Sequence, residues 1–116
     1  MTGEEVSRRY EIPNKILEEY RQWGLCGAVR IAMAEWQYND QDLERLSMIM
    51  ALHDMGFSAK EVETYMRLFL QGPSTEGERL VMLDKRRRQA LVEIHLREKQ
   101  LERLDYLRHE LRESQR

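Results

Sequence analysis

The sequence predicts an all-α, mainly α-helical fold, and three features of the chain support that prediction. Apolar residues recur at three- and four-residue spacing through most of the chain. Breakers divide the pattern into segments at Gly24, Gly56 and Gly72-Pro73. Helix-start signals precede the segments: an acidic turn over residues 39–42, and the capping pairs Thr2/Glu5, Ser58/Glu61 and Thr75/Glu78.

The first two helices are short and joined by a tight turn. We expect the first helix over about Gly3 to Arg9, and Pro13 then favours a turn before the next helix begins. The second helix ends at Gly24 and presents three apolar side chains inward: Ile16, Leu17 and Tyr20. Two short helices in this arrangement predict a helix-turn-helix.

Residues 27–38 allow two interpretations. Val29, Ile31 and Met33 alternate with other residues as in a short strand, whereas residues 32–35 fit a helical turn equally well. We interpret the segment as a degenerate hairpin wing, which makes the N-terminal part a winged helix-turn-helix head.

Two further helices complete the predicted head. The first follows the acidic turn and closes at Gly56, with apolar spacing over Leu43, Leu46, Ile49, Met50 and Leu52. The second runs from Ser58 to Leu70, and we expect it to bury Val62, Tyr65, Met66 and Phe69.

The last predicted helix runs from Thr75 to about Glu113 and is too long for so small a head to cover. At about 1.5 Å per residue it exceeds 50 Å. Its apolar residues mostly fit a heptad seam that three arginines interrupt, at positions 87, 97 and 108. A second copy of the chain is the simplest partner. We therefore expect a head over residues 1–72 and a coiled-coil dimerisation helix over residues 73–116. The predicted dimerisation residues are Leu80, Leu83, Leu91, Ile94, Leu101, Leu104, Leu107 and Leu111.

Composition excludes several classes of protein. No apolar run approaches the roughly 20 residues that span a bilayer, and the N-terminus lacks the apolar core of a signal peptide. Cys26 is the only cysteine, so no intrachain disulfide forms and a cytoplasmic location is expected. No nucleophile with a paired base and no phosphate loop occurs, and the three histidines are far apart. We therefore expect neither an enzyme, nor a metal site, nor a cofactor.

The first 38 residues of the predicted head are not basic. They carry five basic and six acidic side chains, and the whole chain has a net charge of -2. A head that binds DNA is expected to be clearly basic, because neutralising phosphates supplies much of the affinity. The first two helices do not meet that expectation.

Three stretches together resemble the MerR-type (mercury-resistance regulator) family of bacterial transcription factors. These stretches are Trp23-Gly24-Leu25, YNDQDLERL over residues 38–46 and HDMGFSAKEV over residues 53–62. The resemblance implies a homodimer formed through an antiparallel coiled coil of the last helices. It also implies two winged helix-turn-helix heads that bind a palindromic promoter site in double-stranded DNA and bend or untwist it.

The resemblance places the second helix in the major groove of that DNA. The residues it assigns to DNA contact are Arg8, Arg9, Asn14, Lys15, Glu18, Tyr20, Arg21 and Arg30. Glu18 and Glu19 stand where the family typically has arginine and tyrosine, and two carboxylates aimed at phosphates would be repelled. An alternative hypothesis is therefore a protein-interaction module that has lost ordinary DNA binding. It would bind RNA polymerase or another regulator through the acidic second helix and Trp36.

Overall fold

The structure of the chain is a computed structural model that describes residues 1–25, 31–32 and 35–115. The helices of the described part are α1 (Gly3–Tyr10), α2 (Asn14–Gln22), α3 (Asp40–Asp54), α4 (Ala59–Gln71) and α5 (Glu76–Ser114), with a short 3-10 turn at Pro73–Thr75. The predicted fold class, mainly α with a long last helix, is confirmed.

A small hairpin follows α2. Strand β1 (Ile31–Ala32) pairs antiparallel with β2 (Glu35–Trp36), and Thr2 forms a further antiparallel bridge with Gln37. The predicted hairpin is therefore present. Residues 26–30 and 33–34 lie outside the described residues, and with them the predicted DNA contact of Arg30.

Local hydrogen bonds start three of the helices where the sequence predicts. The Thr2 hydroxyl accepts from the Glu5 amide at 3.2 Å at the start of α1. Asn39 with Asp42 and Ser58 with Glu61 form reciprocal capping boxes at α3 and α4. Each box satisfies two backbone donors that have no partner within the helix, which fixes where that helix begins.

The start of α5 differs from the predicted cap. The Thr75 side chain is buried, and its hydroxyl donates to the Leu68 carbonyl at 2.6 Å and lies 2.9 Å from the Gly72 carbonyl. It also accepts from Arg79 Nε at 3.1 Å. Thr75 therefore fastens the 3-10 turn to the end of α4, because that end has carbonyls without partners in the helix.

The chain forms two compact units, Met1–Arg79 and Leu80–Arg116, called below the N-terminal and C-terminal units. The core of the N-terminal unit is drawn from all four of its helices and includes Val6, Leu17, Tyr20, Leu46, Ile49, Leu52, Val62 and Met66. Phe69 was expected in this core, but its side chain is 37% exposed. It lies instead beneath the Arg79 guanidinium, whose central carbon is 5.5 Å from the ring centroid.

The C-terminal unit consists of the continuing α5 helix. With 39 residues, α5 is about 58 Å long. Its large apolar side chains are almost all exposed, including Leu80, Leu91, Ile94, Leu101, Leu104, Leu107 and Leu111, whereas Leu83 is half-buried. Of the helices that the structure describes, none has the length and apolar character needed to cross a membrane.

Candidate nucleic-acid interface

The turn between α1 and α2 is tight and rests on two features. Glu11 adopts a left-handed backbone conformation with φ 55°, which ends α1 abruptly. Ile12 is buried, and its carbonyl accepts a 2.7 Å hydrogen bond from the Ser7 hydroxyl. The turn therefore anchors α2 at a fixed angle to α1, as a helix-turn-helix requires.

A cleft opens between α1 and α2. It measures about 450 Å³ and is lined by Gly3, Glu4, Ser7, Arg8, Asn14, Leu17, Glu18 and Arg21. Asn14, Leu17, Glu18 and Arg21 recur at the spacing of one helix face, on which Asn14 and Glu18 are exposed, Arg21 is half-buried and Leu17 is buried. Ile16 and Tyr20 are buried as well, so the side of α2 that reaches solvent includes Asn14 and Glu18.

Four of the eight predicted DNA-contact residues line this cleft. Arg8, Asn14, Glu18 and Arg21 line it. Arg9 and Lys15 are exposed but do not line it, and the Arg9 guanidinium lies 5.7 Å from the ring centroid of Tyr10.

Tyr20 does not belong to this surface, and its predicted contact with DNA is wrong. The residue is 0% exposed, and its hydroxyl donates to Asp42 Oδ1 at 2.6 Å. The same hydroxyl lies 3.3 Å from the Leu25 carbonyl. Burial, and next the hydrogen bond to Asp42, raise the pKa of the Tyr20 hydroxyl well above its usual range. Tyr20 is therefore a protonated core residue that joins α2 to α3.

Asp42 connects that core contact to the start of α3. Its Oδ2 accepts from the Asn39 amide at 2.9 Å, while Oδ1 accepts from Tyr20. Asp42 is almost fully buried, so its charge depends on these hydrogen bonds for compensation. One carboxylate thus serves both as a helix cap and as the link to α2.

Two arginines hold the carboxyl end of α2 and the residues that follow it. Arg45 on α3 donates from Nη1 to the Leu25 carbonyl at 2.7 Å. Arg67 on α4 donates from Nη2 to the Trp23 carbonyl at 2.9 Å and is oriented by Glu63. A cation suits the negative end of a helix dipole, so both contacts stabilise the position of α2.

Glu19 was expected to face DNA together with Glu18, and that expectation is wrong. Its Oε2 lies 3.2 Å from Nε2 of His53, near the end of α3, and its side chain is only 13% exposed. Glu18, by contrast, is exposed and lines the cleft. The outer face of α2 therefore presents one carboxylate instead of the expected two.

Arg21 is positioned by the residue that follows the hairpin. Its Nη1 donates to the Tyr38 hydroxyl at 3.3 Å, and Tyr38 is itself buried. The backbone of Tyr38 pairs with Met1, whose carbonyl accepts from the Tyr38 amide at 2.6 Å. This pairing ties the first residues, the end of the hairpin and the Arg21 side chain together.

The sequence did not reveal the supporting roles of Arg45, His53 and Arg67. Asp42 and Arg45 lie within the quoted stretch YNDQDLERL, so that motif contained a signal. The partner of His53 is Glu19, which lies 34 residues earlier in the chain. No local pattern points to Arg67, whose contact with Trp23 spans 44 residues.

Comparison with known families and structures gives a consistent result. The family described as MerR HTH family regulatory protein matches residues 1–68. The structure of HiNmlR, a MerR family regulator lacking the sensor domain and bound to promoter DNA, is similar with a TM-score of 0.69 and 24% sequence identity. That match covers 90% of this chain and 84% of HiNmlR. No curated protein matches the chain at a significant level.

Two further solved structures share the fold. A MerR family protein from Listeria monocytogenes aligns with a TM-score of 0.72 and 22% identity, covering 91% of this chain and 81% of that one. A MerR family transcriptional regulator from Bacillus thuringiensis aligns with a TM-score of 0.65 and 22% identity, covering 90% and 93%. Proteins of this family and fold are transcriptional regulators, which are not enzymes. The family match spans more than half of the chain, and the chain therefore belongs to the MerR helix-turn-helix family and is a DNA-binding transcriptional regulator.

Proposed function

We propose that this regulator binds a palindromic promoter site as a homodimer, with α2 of each copy in the major groove. The observation that carries the proposal is the polar face of α2. Asn14 and Glu18 are exposed and, with the half-buried Arg21, line an open cleft, while Ile16, Leu17 and Tyr20 of the same helix are buried. A helix that enters the major groove needs polar side chains outward and a fixed orientation, and both are present here.

The contacts divide into two kinds by side-chain chemistry. The cationic residues hold phosphates and set the register on the duplex: Arg8, Arg9, Lys15, Arg21 and Arg30. Asn14 and Glu18 read base edges, because a side-chain amide pairs with adenine and a carboxylate accepts from the amino group of cytosine. Glu18 is therefore a source of sequence preference, and its charge lowers the non-specific affinity.

The proposed dimer forms through α5. Seven of the eight predicted dimerisation residues are exposed: Leu80, Leu91, Ile94, Leu101, Leu104, Leu107 and Leu111. So many large apolar side chains along one helix favour a partner helix, since burying them removes apolar surface from water. HiNmlR was solved on promoter DNA, and we infer the same kind of target and a cytoplasmic location for this protein.

No observation favours the alternative of an interaction module without DNA binding. That hypothesis rested on an acidic α2, and the contact of Glu19 with His53 removes one of its two carboxylates from the outer face.

The proposal is tested by binding of the purified protein to DNA fragments that surround its own gene, at low and moderate salt. Unrelated DNA of equal length and composition is the control. We expect selective binding that weakens as salt rises, because phosphate contacts release counterions. Equal affinity for both DNAs, or none at low salt, would refute the proposed promoter site.

A further inference from the structure

The exposed face of α5 matches a second copy of the chain in one register. We propose that two α5 helices pair antiparallel with the two-fold axis crossing between His95 and Leu96. This inference rests on the proposed homodimer and adds to it which residues meet. It follows from the positions of three arginines and from the side chains that flank the seam.

The seam repeats at alternating three- and four-residue steps, as a heptad seam does. Its members are Leu80, Leu83, Arg87, Ala90, Ile94, Arg97, Leu101, Leu104, Arg108 and Leu111. The arginines are exposed, and Ala90 is the one small residue of the set. Two such helices must therefore pair so that the three arginines of each seam avoid one another and the space beside the small Ala90 side chain is filled.

A parallel pair does not accommodate the arginines. In a parallel, in-register pair each seam residue meets the same residue of the partner, so all three arginines would face like charges. An antiparallel pair avoids this conflict in some registers only. Relative to an antiparallel pair centred between His95 and Leu96, a register shifted by one heptad toward the N-terminus places Arg87 opposite the partner's Arg97. A register shifted by two heptads toward the C-terminus places Arg97 opposite the partner's Arg108.

With the axis between His95 and Leu96, every seam arginine faces an apolar residue. Arg87 faces the partner's Leu104, Arg97 faces the partner's Ile94, and Arg108 faces the partner's Leu83. The small Ala90 faces the large side chain of the partner's Leu101, so the gap is filled. Leu80 faces the partner's Leu111, which closes each end with an apolar layer.

The flanking residues separate this register from the one that is shifted by one heptad toward the C-terminus. In an antiparallel pair, a seam residue also borders the residue next to the one it faces. In the proposed register each arginine then borders a carboxylate: Arg87 borders the partner's Asp105, Arg97 the partner's Glu93, and Arg108 the partner's Asp84. The flanking leucines also match, since Leu91 borders the partner's Leu101 and Leu107 borders the partner's Leu83.

A shift of one heptad toward the C-terminus loses these matches. Arg87 would border the partner's Arg112, and Arg97 would border the partner's Gln100. Leu91 would border the partner's Arg108. Opposite charges beside a partly desolvated seam stabilise pairing and like charges destabilise it, so this shifted register is disfavoured.

Glu93 remains able to accept from the partner. In the single chain its two oxygens accept from Arg86 at 3.1 Å and 3.0 Å. A carboxylate has about four acceptor positions, so a second arginine from the partner adds to this contact and does not replace it.

Cysteine crosslinking of the full chain tests the register. In a Cys26→Ser background, Ala90→Cys combined with Leu101→Cys places two thiols face to face between copies. Within one helix the two positions are about 16 Å apart, beyond the roughly 7 Å that a disulfide spans. The matched control is Ala90→Cys with Arg108→Cys, which face each other in the shifted register. We expect on the order of tenfold more disulfide-linked dimer from the first pair.

Charge exchange between two variants provides a second test. Arg87→Asp alone and Asp105→Arg alone each set like charges together twice per homodimer, whereas a mixture of the two variants forms a heterodimer with both contacts attractive. We expect the mixed dimer to have a dissociation constant lower than either homodimer's by on the order of tenfold, as measured by sedimentation. Arg87→Asp mixed with Glu98→Arg is the control, because that pair would meet only in the other shifted register.

The outcomes distinguish the register from the dimer itself. A dimeric chain in which the control pairs crosslink or rescue as well as the proposed pairs, or in which no pair does, overturns the register and leaves the homodimer in place. A chain that sediments as a monomer at all concentrations and on promoter DNA overturns both. Selective DNA binding is measured separately and is unaffected by either result.

Discussion

His53 Nε2 on α3 lies 3.2 Å from Oε2 of Glu19 on α2, and this contact joins the two helices near the candidate DNA-binding face. The Glu19 side chain is 13% exposed and that of His53 is 26% exposed, so the pair is partly screened from solvent. The contact turns one carboxylate of α2 away from the surface that Glu18 and Lys15 occupy.

Removing the histidine is expected to weaken DNA binding through that carboxylate. His53→Ala frees Glu19 to approach the phosphates, and repulsion should raise the Kd roughly two- to fivefold at low salt. The double variant His53→Ala with Glu19→Gln should restore the affinity, because it removes the released charge. Titration of operator DNA measures the Kd, and circular dichroism monitors the fold. A loss that Glu19→Gln does not restore would show that His53 acts in another way.

Lys15 is expected to contribute a phosphate contact. Lys15→Ala should weaken binding to operator and unrelated DNA alike and lower the slope of log K against log salt by about 1. Lys60→Ala is the matched control, since Lys60 is also exposed and lies on α4. Binding isotherms at several salt concentrations give the slope. Equal slopes for the two variants would remove Lys15 from the interface.

The Tyr20 hydroxyl is expected to stabilise the N-terminal unit. Tyr20→Phe deletes the donor that reaches Asp42 at 2.6 Å, and a buried carboxylate then loses a hydrogen bond. The cost should be about 1–3 kcal/mol in the free energy of unfolding, measured with urea. Tyr10→Phe, at an exposed position, is the control and should change little. A loss no larger than that of the control would show that the bond contributes nothing.

The raised pKa of Tyr20 predicts a dependence on alkaline pH. The folded state keeps the Tyr20 proton above the usual pKa of 10.0, whereas the unfolded chain releases it near that value. The contribution is therefore complete below about pH 10 and is lost as the pH rises further. We expect the unfolding free energy of the natural chain to fall more steeply between about pH 9 and pH 11 than that of Tyr20→Phe. Parallel curves for the two proteins would contradict the proposed protonated core tyrosine.

Glycine at position 11 is expected to stabilise the protein. Glu11 has φ 55°, a left-handed conformation that strains an L residue and suits glycine. Glu11→Gly should raise the free energy of unfolding by about 0.5–1 kcal/mol, after the greater entropy of glycine in the unfolded chain is included. Glu11→Ala removes the carboxylate but keeps the Cβ, so it should give no gain. Denaturant unfolding of both variants checks this, and equal effects would place the cause in the charge.

The sequence by itself determined most of the helices and their starts. The Ser58 and Glu61 side chains cap α4 as predicted, because a capping box involves residues three apart and needs no distant partner. The helix-turn-helix followed in the same way from Pro13 and the apolar spacing of Ile16 and Leu17. Position along a helix also correctly separated the exposed Asn14 and Glu18 from the buried face.

Only the tertiary structure decided what individual polar side chains do. Tyr20 reaches Asp42 across 22 residues, and Glu19 reaches His53 across 34. Thr75 is buried against the end of α4, where a local rule predicts a helix cap. Local patterns fix the face of a helix on which a residue lies. Whether a polar group on that face stays in solvent or is paired depends on donors and acceptors that distant segments bring within about 3 Å, and only the packed chain provides them.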